Sequence, residues 1–177
     1  MKILRSKLIP AILLVLIISA LFSSCSEPNP APIISMKSDG TEVPYMSQTV
    51  KDPATADTLP NHKSRFSHLL KKESTSPAVD LGDILKVSFV GTAPDTLTLH
   101  EWIVEKDGTP LYHGIERTLT AENSTYTTKI ESHIEAMFSS DSNFRVESRG
   151  FKLTCKWGEK TKNYYFVLRE SQPTLLK

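Results

Sequence analysis

Cysteine is scarce in this chain: two residues in 177, Cys25 and Cys155. At most one bridge can form, so a disulfide-stapled miniature scaffold is excluded and a packed core must supply the stability. Glycine is also sparse, seven in all. The one Gly-started loop that invites comparison with a phosphate cradle, "GTAPDTLT", has no lysine where a P-loop needs one. No G-x-S-x-G is present, so a serine nucleophile has no elbow to sit on. The five histidines, His62, His68, His100, His113 and His133, are isolated from one another. None has the H-x-x-x-H spacing of a zinc pair, and no metal or cofactor is expected. Acidic residues are scattered, so a catalytic carboxylate pair would have to be assembled in three dimensions. An excess of positive charge is missing as well. The chain carries 21 basic and 20 acidic side chains, which argues against a nucleic-acid partner.

What the chain does have is a distinctive beginning. Lys2, Arg5 and Lys7 precede an apolar run from Leu8 to Phe22, broken only by Pro10 and Ser19. Fifteen helical residues rise about 22 Å, short of the roughly 30 Å hydrocarbon layer of a bilayer. The length suits the h-region of a secretory signal better than a permanent span. An uncleaved amino-terminal anchor and an ordinary cleaved signal remain as alternatives. The run closes on Ser23-Ser24-Cys25, followed by "SEPNPAP", in which Pro28, Pro30 and Pro32 favour extended polyproline geometry.

Leu21, Ser23, Ser24 and Cys25 resemble the lipobox of bacterial lipoproteins, with Phe22 in place of the more usual aliphatic residue. The resemblance implies that the Cys25 thiol is the lipid attachment site and that the chain is cut just before it. Residues 1–24 are then the lipoprotein signal peptide and 25–32 a proline-rich tether. The seven residues after the cysteine reach about 25 Å when extended. Loss of Lys2, Arg5 and Lys7 takes the 21 basic side chains to 18 against 20 acidic ones, near neutral. Two acyl chains on one cysteine anchor a protein stably, at about 0.8 kcal/mol per buried methylene. Cys155 is left without a partner.

Beyond the tether the pattern is mostly that of strands. Ile34, Met36, Val43 and Tyr45 alternate around Ser38-Asp39-Gly40-Thr41, a hairpin signal. Residues 47–62 are polar and proline-dotted and read as a loop. Phe66, Leu69 and Leu70 in "KSRFSHLLKKE" have helical spacing. Lys63, Arg65, Lys71 and Lys72 there read as a solvated helix face, or else as a contact for anionic headgroups. Leu85, Val87 and Phe89 alternate with Lys86 and Ser88. "TLTLHEWIVE" reads as a longer strand with an inward register that shifts between Leu99 and Trp102. Lys106-Asp107-Gly108-Thr109 is a turn, with a short strand around Leu111 and Tyr112. Thr118 to Ile130 gives one or two more strands. Ile130, Ile134, Met137 and Phe138 suggest a second short helix. Phe151, Leu153, Cys155 and Trp157 alternate with lysines and Thr154, "GEKTKN" turns the chain, and "YYFVLRE" returns. On this alternation Cys155 belongs to the core, as an inert thiol. Trp102 and Trp157 read as core plugs. The tail 171–177 looks loose.

The segments "DLGDILKVSF", "LTLHEWIVEKDG" and "GFKLTCKWGEKTKNYYFVLRE" resemble small uncharacterised lipoproteins of low-GC Gram-positive bacteria that carry an immunoglobulin-like domain. The amino-terminal cysteine pair expected of that group has no counterpart between Tyr45 and Val50. The resemblance implies an all-β, immunoglobulin-like antiparallel β-sandwich with one or two short helices. The expected organisation is a hairpin, loop and short helix over 33–78, packing on a sandwich over 79–170. The function expected is that of a membrane-anchored extracytoplasmic lipoprotein, non-catalytic, binding or regulating an envelope protein. A small-molecule or polysaccharide binder is the alternative, and a hydrolase is third.

Overall fold

In the strand Ile84–Val90, Leu85, Val87 and Phe89 take one face and Lys86 and Ser88 the other, because strand side chains alternate. The computed structural model describes residues 33–52, 57–71, 76–131 and 148–171; Cys25 and both segments around it lie outside the described residues. In chain order the elements are β1 (Ile33–Ser38), β2 (Thr41–Glu42), β3 (Met46–Val50), α1 (Leu59–Lys71) and β4 (Ala78–Val79). β5 (Ile84–Val90), β6 (Thr96–Val104), β7 (Pro110–Leu119), β8 (Ala121–Glu122), β9 (Thr125–Lys129), β10 (Ser148–Trp157) and β11 (Lys160–Glu170) follow. They build an all-β sandwich. The first sheet has the order β2-β1-β5-β9-β8 and the second β3-β11-β10-β6-β7, all antiparallel. β4 adds a short parallel pairing to the end of β11.

Two tight turns follow from local sequence. Asp39 and Gly40 both take positive φ (44° and 85°), which joins β1 to β2 through the two-residue geometry that matches strand twist. Asn123 and Ser124 (51° and 61°) do the same between β8 and β9.

Between the sheets lies a core that includes Met36, Leu85, Val87, Leu97, Leu99, Tyr126, Phe151, Leu153, Cys155, Tyr164, Phe166 and Leu168. A second apolar layer covers the outer face of the second sheet. There Phe66, Leu69 and Leu70 of α1 pack on Trp102, Val104, Tyr165 and Val167. Each large side chain so buried contributes about 1.5–3 kcal/mol. The helix begins where the Thr58 carbonyl accepts the amides of Asn61 and His62, and Pro60 is tolerated in that first turn. No helix among the described residues is long and apolar enough to cross a membrane.

Several readings of the sequence change. Residues 47–62 are not a loop throughout. Met46–Val50 is an edge strand on β11, and its polar Ser47 and Thr49 point to solvent, which is why its composition looked loop-like. The helix also starts earlier, at Leu59. β6 keeps one alternation along its length, with Leu97, Leu99 and Glu101 toward the first sheet and Trp102 and Val104 toward α1. The irregularity lies in its partner: Glu101 pairs with Ile115 but Ile103 with Leu111, so β7 carries the extra residues. That bulge lets β7 run for ten residues instead of ending near Tyr112. The hairpin, the helix over Phe66, Leu69 and Leu70 and the turn at Asp107-Gly108 are as expected. The last two strands pair as expected but turn at Gly158-Glu159 alone, so Lys160 to Asn163, read as turn, begin β11. Of the expected second helix, from Ile130 to Phe138, Ile130 and Glu131 are not helical and the remainder lies outside the described residues, as does the tail after Ser171.

Helix and sheet approach closely at Gly150. A Cβ there would meet Phe66 Cε1 and Cζ and Val104 Cγ1, each at 2.8 Å. Gly150→Ala is therefore expected to cost about 1–3 kcal/mol by overpacking, measured by urea denaturation. An unchanged midpoint would mean that α1 does not sit on β10.

Candidate functional site

The neighbouring strands β6, β10 and β11 carry His100, Lys152 and Tyr165 in one row, since His100 pairs with Lys152 and Lys152 with Tyr165. Alternation turns this row toward α1. The helix in turn lowers His62 onto the same spot, one turn before Phe66. The result is a polar cluster around a single indole. The His100 ring stacks on Trp102 (centroids 4.5 Å apart, interplanar angle 12°), and the His62 ring lies 4.9 Å from it. The Lys152 ammonium stands 5.8 Å from the Trp102 centroid, within cation–π range.

Carboxylates close the cluster from its rim. Lys152 donates to Asp57 Oδ1, and His62 Nε2 lies 3.1 Å from the same oxygen. His100 Nδ1 lies 3.0 Å from Glu116 Oε2, its cross-strand neighbour on β7. Burial is uneven. The side chains of His62 and Lys152 are 4% and 6% exposed, whereas Asp57 and Glu116 are both 61% exposed. His62 Nδ1 has no hydrogen-bond partner although it is fully enclosed.

The electrostatics follow from this layout. Burial lowers the pKa of His62, the Lys152 charge lowers it further, and Asp57 only partly opposes them. His100 is lowered by burial and by Lys152 against the pull of Glu116. Burial pushes the Asp57 carboxyl up, but its hydrogen bond and charge interaction with Lys152, with help from His62, outweigh that and hold it down. Both imidazoles are thus neutral at neutral pH, and proton exchange with acid is the chemistry that the set can perform. Among the described residues no group of three or more His, Cys, Asp or Glu side chains is arranged to hold a metal ion.

A second polar group is embedded at one end of the space between the sheets. Arg149, 1% exposed, donates from Nη1 to Glu101 Oε1 (2.6 Å) and to the Glu131 carbonyl (2.6 Å). Its Nε and Nη2 reach Glu170 Oε2 at 3.1 and 3.0 Å. Arg117 approaches the other Glu101 oxygen at 3.2 Å. Planar guanidinium forks suit this bridging of two carboxylates.

Cys155 is fully buried and free, and burial raises its thiol pKa, so it is an unreactive core residue as its alternation implied. Trp102 is 5% exposed and plugs the layer under α1. Trp157 is half-buried against the inter-sheet core and donates to the Thr92 carbonyl at 3.0 Å. On the basic helix face Lys63 is 48% exposed and pairs with Asp107, Lys71 is exposed and Arg65 half-buried, while Lys72 lies outside the described residues. Cys25 lies outside the described residues. The sequence did not reveal that His62 and His100 meet, nor that Lys152, Arg149 and Glu101 are buried. The one available signal was that the apolar residues of β6 and β11 occupy both faces, which requires a cover on each.

No protein-family model, curated protein or solved structure matches this chain.

Two outcomes check this geometry. Arg149→Met leaves Glu101 and Glu170 enclosed without their shared cation, and is expected to cost about 3–5 kcal/mol. Adding Glu101→Gln should recover part of that loss in chemical denaturation; a double variant no better than the single one would contradict the pairing. The Cys155 thiol should resist alkylation in the folded chain and react at an ordinary rate in denaturant.

Proposed function

We propose that this chain is a membrane-anchored extracytoplasmic lipoprotein, attached through Cys25, whose immunoglobulin-like domain binds another envelope protein without catalysing a reaction. The strand order supports the immunoglobulin-like reading. Taking β1, β5, β8 and β9 as strands A, B, D and E gives the first sheet its A-B-E-D order. Taking β6, β7, β10 and β11 as C, C′, F and G gives the second sheet the order G-F-C-C′. Cys155 falls on the strand equivalent to F, where an inter-sheet disulfide is common, yet it stands free among aliphatic and aromatic neighbours.

The observation that carries the binding reading is the edge at β7. This ten-residue strand ends the second sheet, and no described strand pairs with its far side. Leu111 and Ile115 on it are half-exposed, and Glu116 and Thr118 are exposed. An extended partner segment that added a strand here would gain main-chain hydrogen bonds and pockets for alternate side chains. Trp102, buried under α1, offers its ring to no sugar.

Cys25→Ala is expected to abolish incorporation of radiolabelled fatty acid and to release the chain from sedimented membranes; labelling that persists would refute the anchor. For the edge, a photo-crosslinking amino acid at Thr118 should give one discrete adduct in intact envelopes. The same group at Thr127, exposed on the first sheet, should give none. Equal adducts from both positions would argue against β7.

A further inference from the structure

We propose that Asp57 and the first turns of α1 form an acid-opened latch on the outer face of the second sheet, closed by neutral His62 and His100 and released when both take up protons while the two sheets stay paired. Three side chains that are cations in acid, His62 from α1, His100 from β6 and Lys152 from β10, converge on the Trp102 ring. Two of them, His62 and Lys152, are almost fully enclosed. The compensating carboxylates lie at the solvent edge. Asp57 is already shared between Lys152 and His62, and Glu116 serves His100 alone. Tyr165, from β11, adds an aromatic wall 6.0 Å from the His62 ring, and no charge. On the far side of α1, Lys63 pairs with Asp107 in the β6–β7 turn and neutralises it. Among the described residues no enclosed acid faces this cluster to balance the extra protons' charge.

Histidine is the side chain whose protonation crosses this range, near pH 6.5 when unperturbed. Here the folded state binds those protons less readily than the opened one, so stability of the latch rises with pH. Its contribution is complete above the ordinary histidine value of about 6.5 and is lost as pH falls below it. Asp57, whose folded pKa is depressed, adds a second loss only at still lower pH, below about 4. Opening stays local because α1 is held at its other end by Phe66, Leu69 and Leu70, and because none of the described residues of the inter-sheet core is a histidine. The device stands independently of the anchor. On the extracytoplasmic side of a membrane, however, ambient pH reaches it directly.

Hydrogen exchange of the full chain between about pH 7.5 and 5.0, corrected for intrinsic rates, tests this. Amides of residues 62–67 should lose protection by about tenfold or more in acid while those of β10 and β11 keep theirs. His100→Gln, at a partly exposed position, should shrink that acid response, and His62→Gln with His100→Gln should remove it. If His62→Gln fails to fold, the single His100→Gln variant still decides the matter. An acid response in His100→Gln equal to that of the unaltered chain overturns the proposal. So does loss of protection in β10 and β11 in step with α1.

Discussion

Burial of the second sheet on both faces is the constraint on which the rest of this molecule depends. The first sheet covers one side of β6, β10 and β11, and α1 covers the other. A strand covered on one side can send every second residue into water. These strands cannot, so polar side chains in their covered stretches must find a partner inside. Arg149 and Glu101 meet that demand at the end of the sandwich, and Lys152 meets it beneath the helix. The same constraint explains the missing side chain at Gly150, which makes room for Phe66.

Paired charges in such positions rarely add much stability over apolar residues of similar size. What they add is a condition. Lys152 is tolerable only while Asp57 stays ionised beside it, and His62 only while it stays neutral. The outer layer is thereby tied to solvent conditions in a way that the inter-sheet core, built from aliphatic and aromatic side chains around Cys155, is not. The two halves of the interior therefore hold their charges differently: Arg149 is enclosed together with its carboxylates at the end of the sandwich, whereas Lys152 relies on a carboxylate at the solvent edge.

Much of this was legible in the sequence. The alternation through Leu85, Val87 and Phe89 and through Phe151, Leu153 and Cys155 points to one covered face, and the helical spacing of Phe66, Leu69 and Leu70 points to a packed helix. Asp39-Gly40 and Gly108 mark their turns through positive φ. The rest was not legible for physical reasons. Lys152 sits at an alternating polar position that solvent usually occupies, and only the arrival of α1, distant in the chain, encloses it. Met46–Val50 has the composition of a loop because this edge strand leaves one face wet. His62 and His100 are far apart in sequence, and strand order alone brings them to one indole.

The most direct test of the double-sided sheet is the reactivity of Lys152 toward an amine-acylating reagent in the folded chain at neutral pH, read by peptide mass spectrometry. Lys86, Lys129 and Lys156, all exposed, should be modified readily while Lys152 stays unmodified until the chain is denatured. Modification of Lys152 at the rate of those exposed lysines would contradict the account, because the helix would then not cover the sheet.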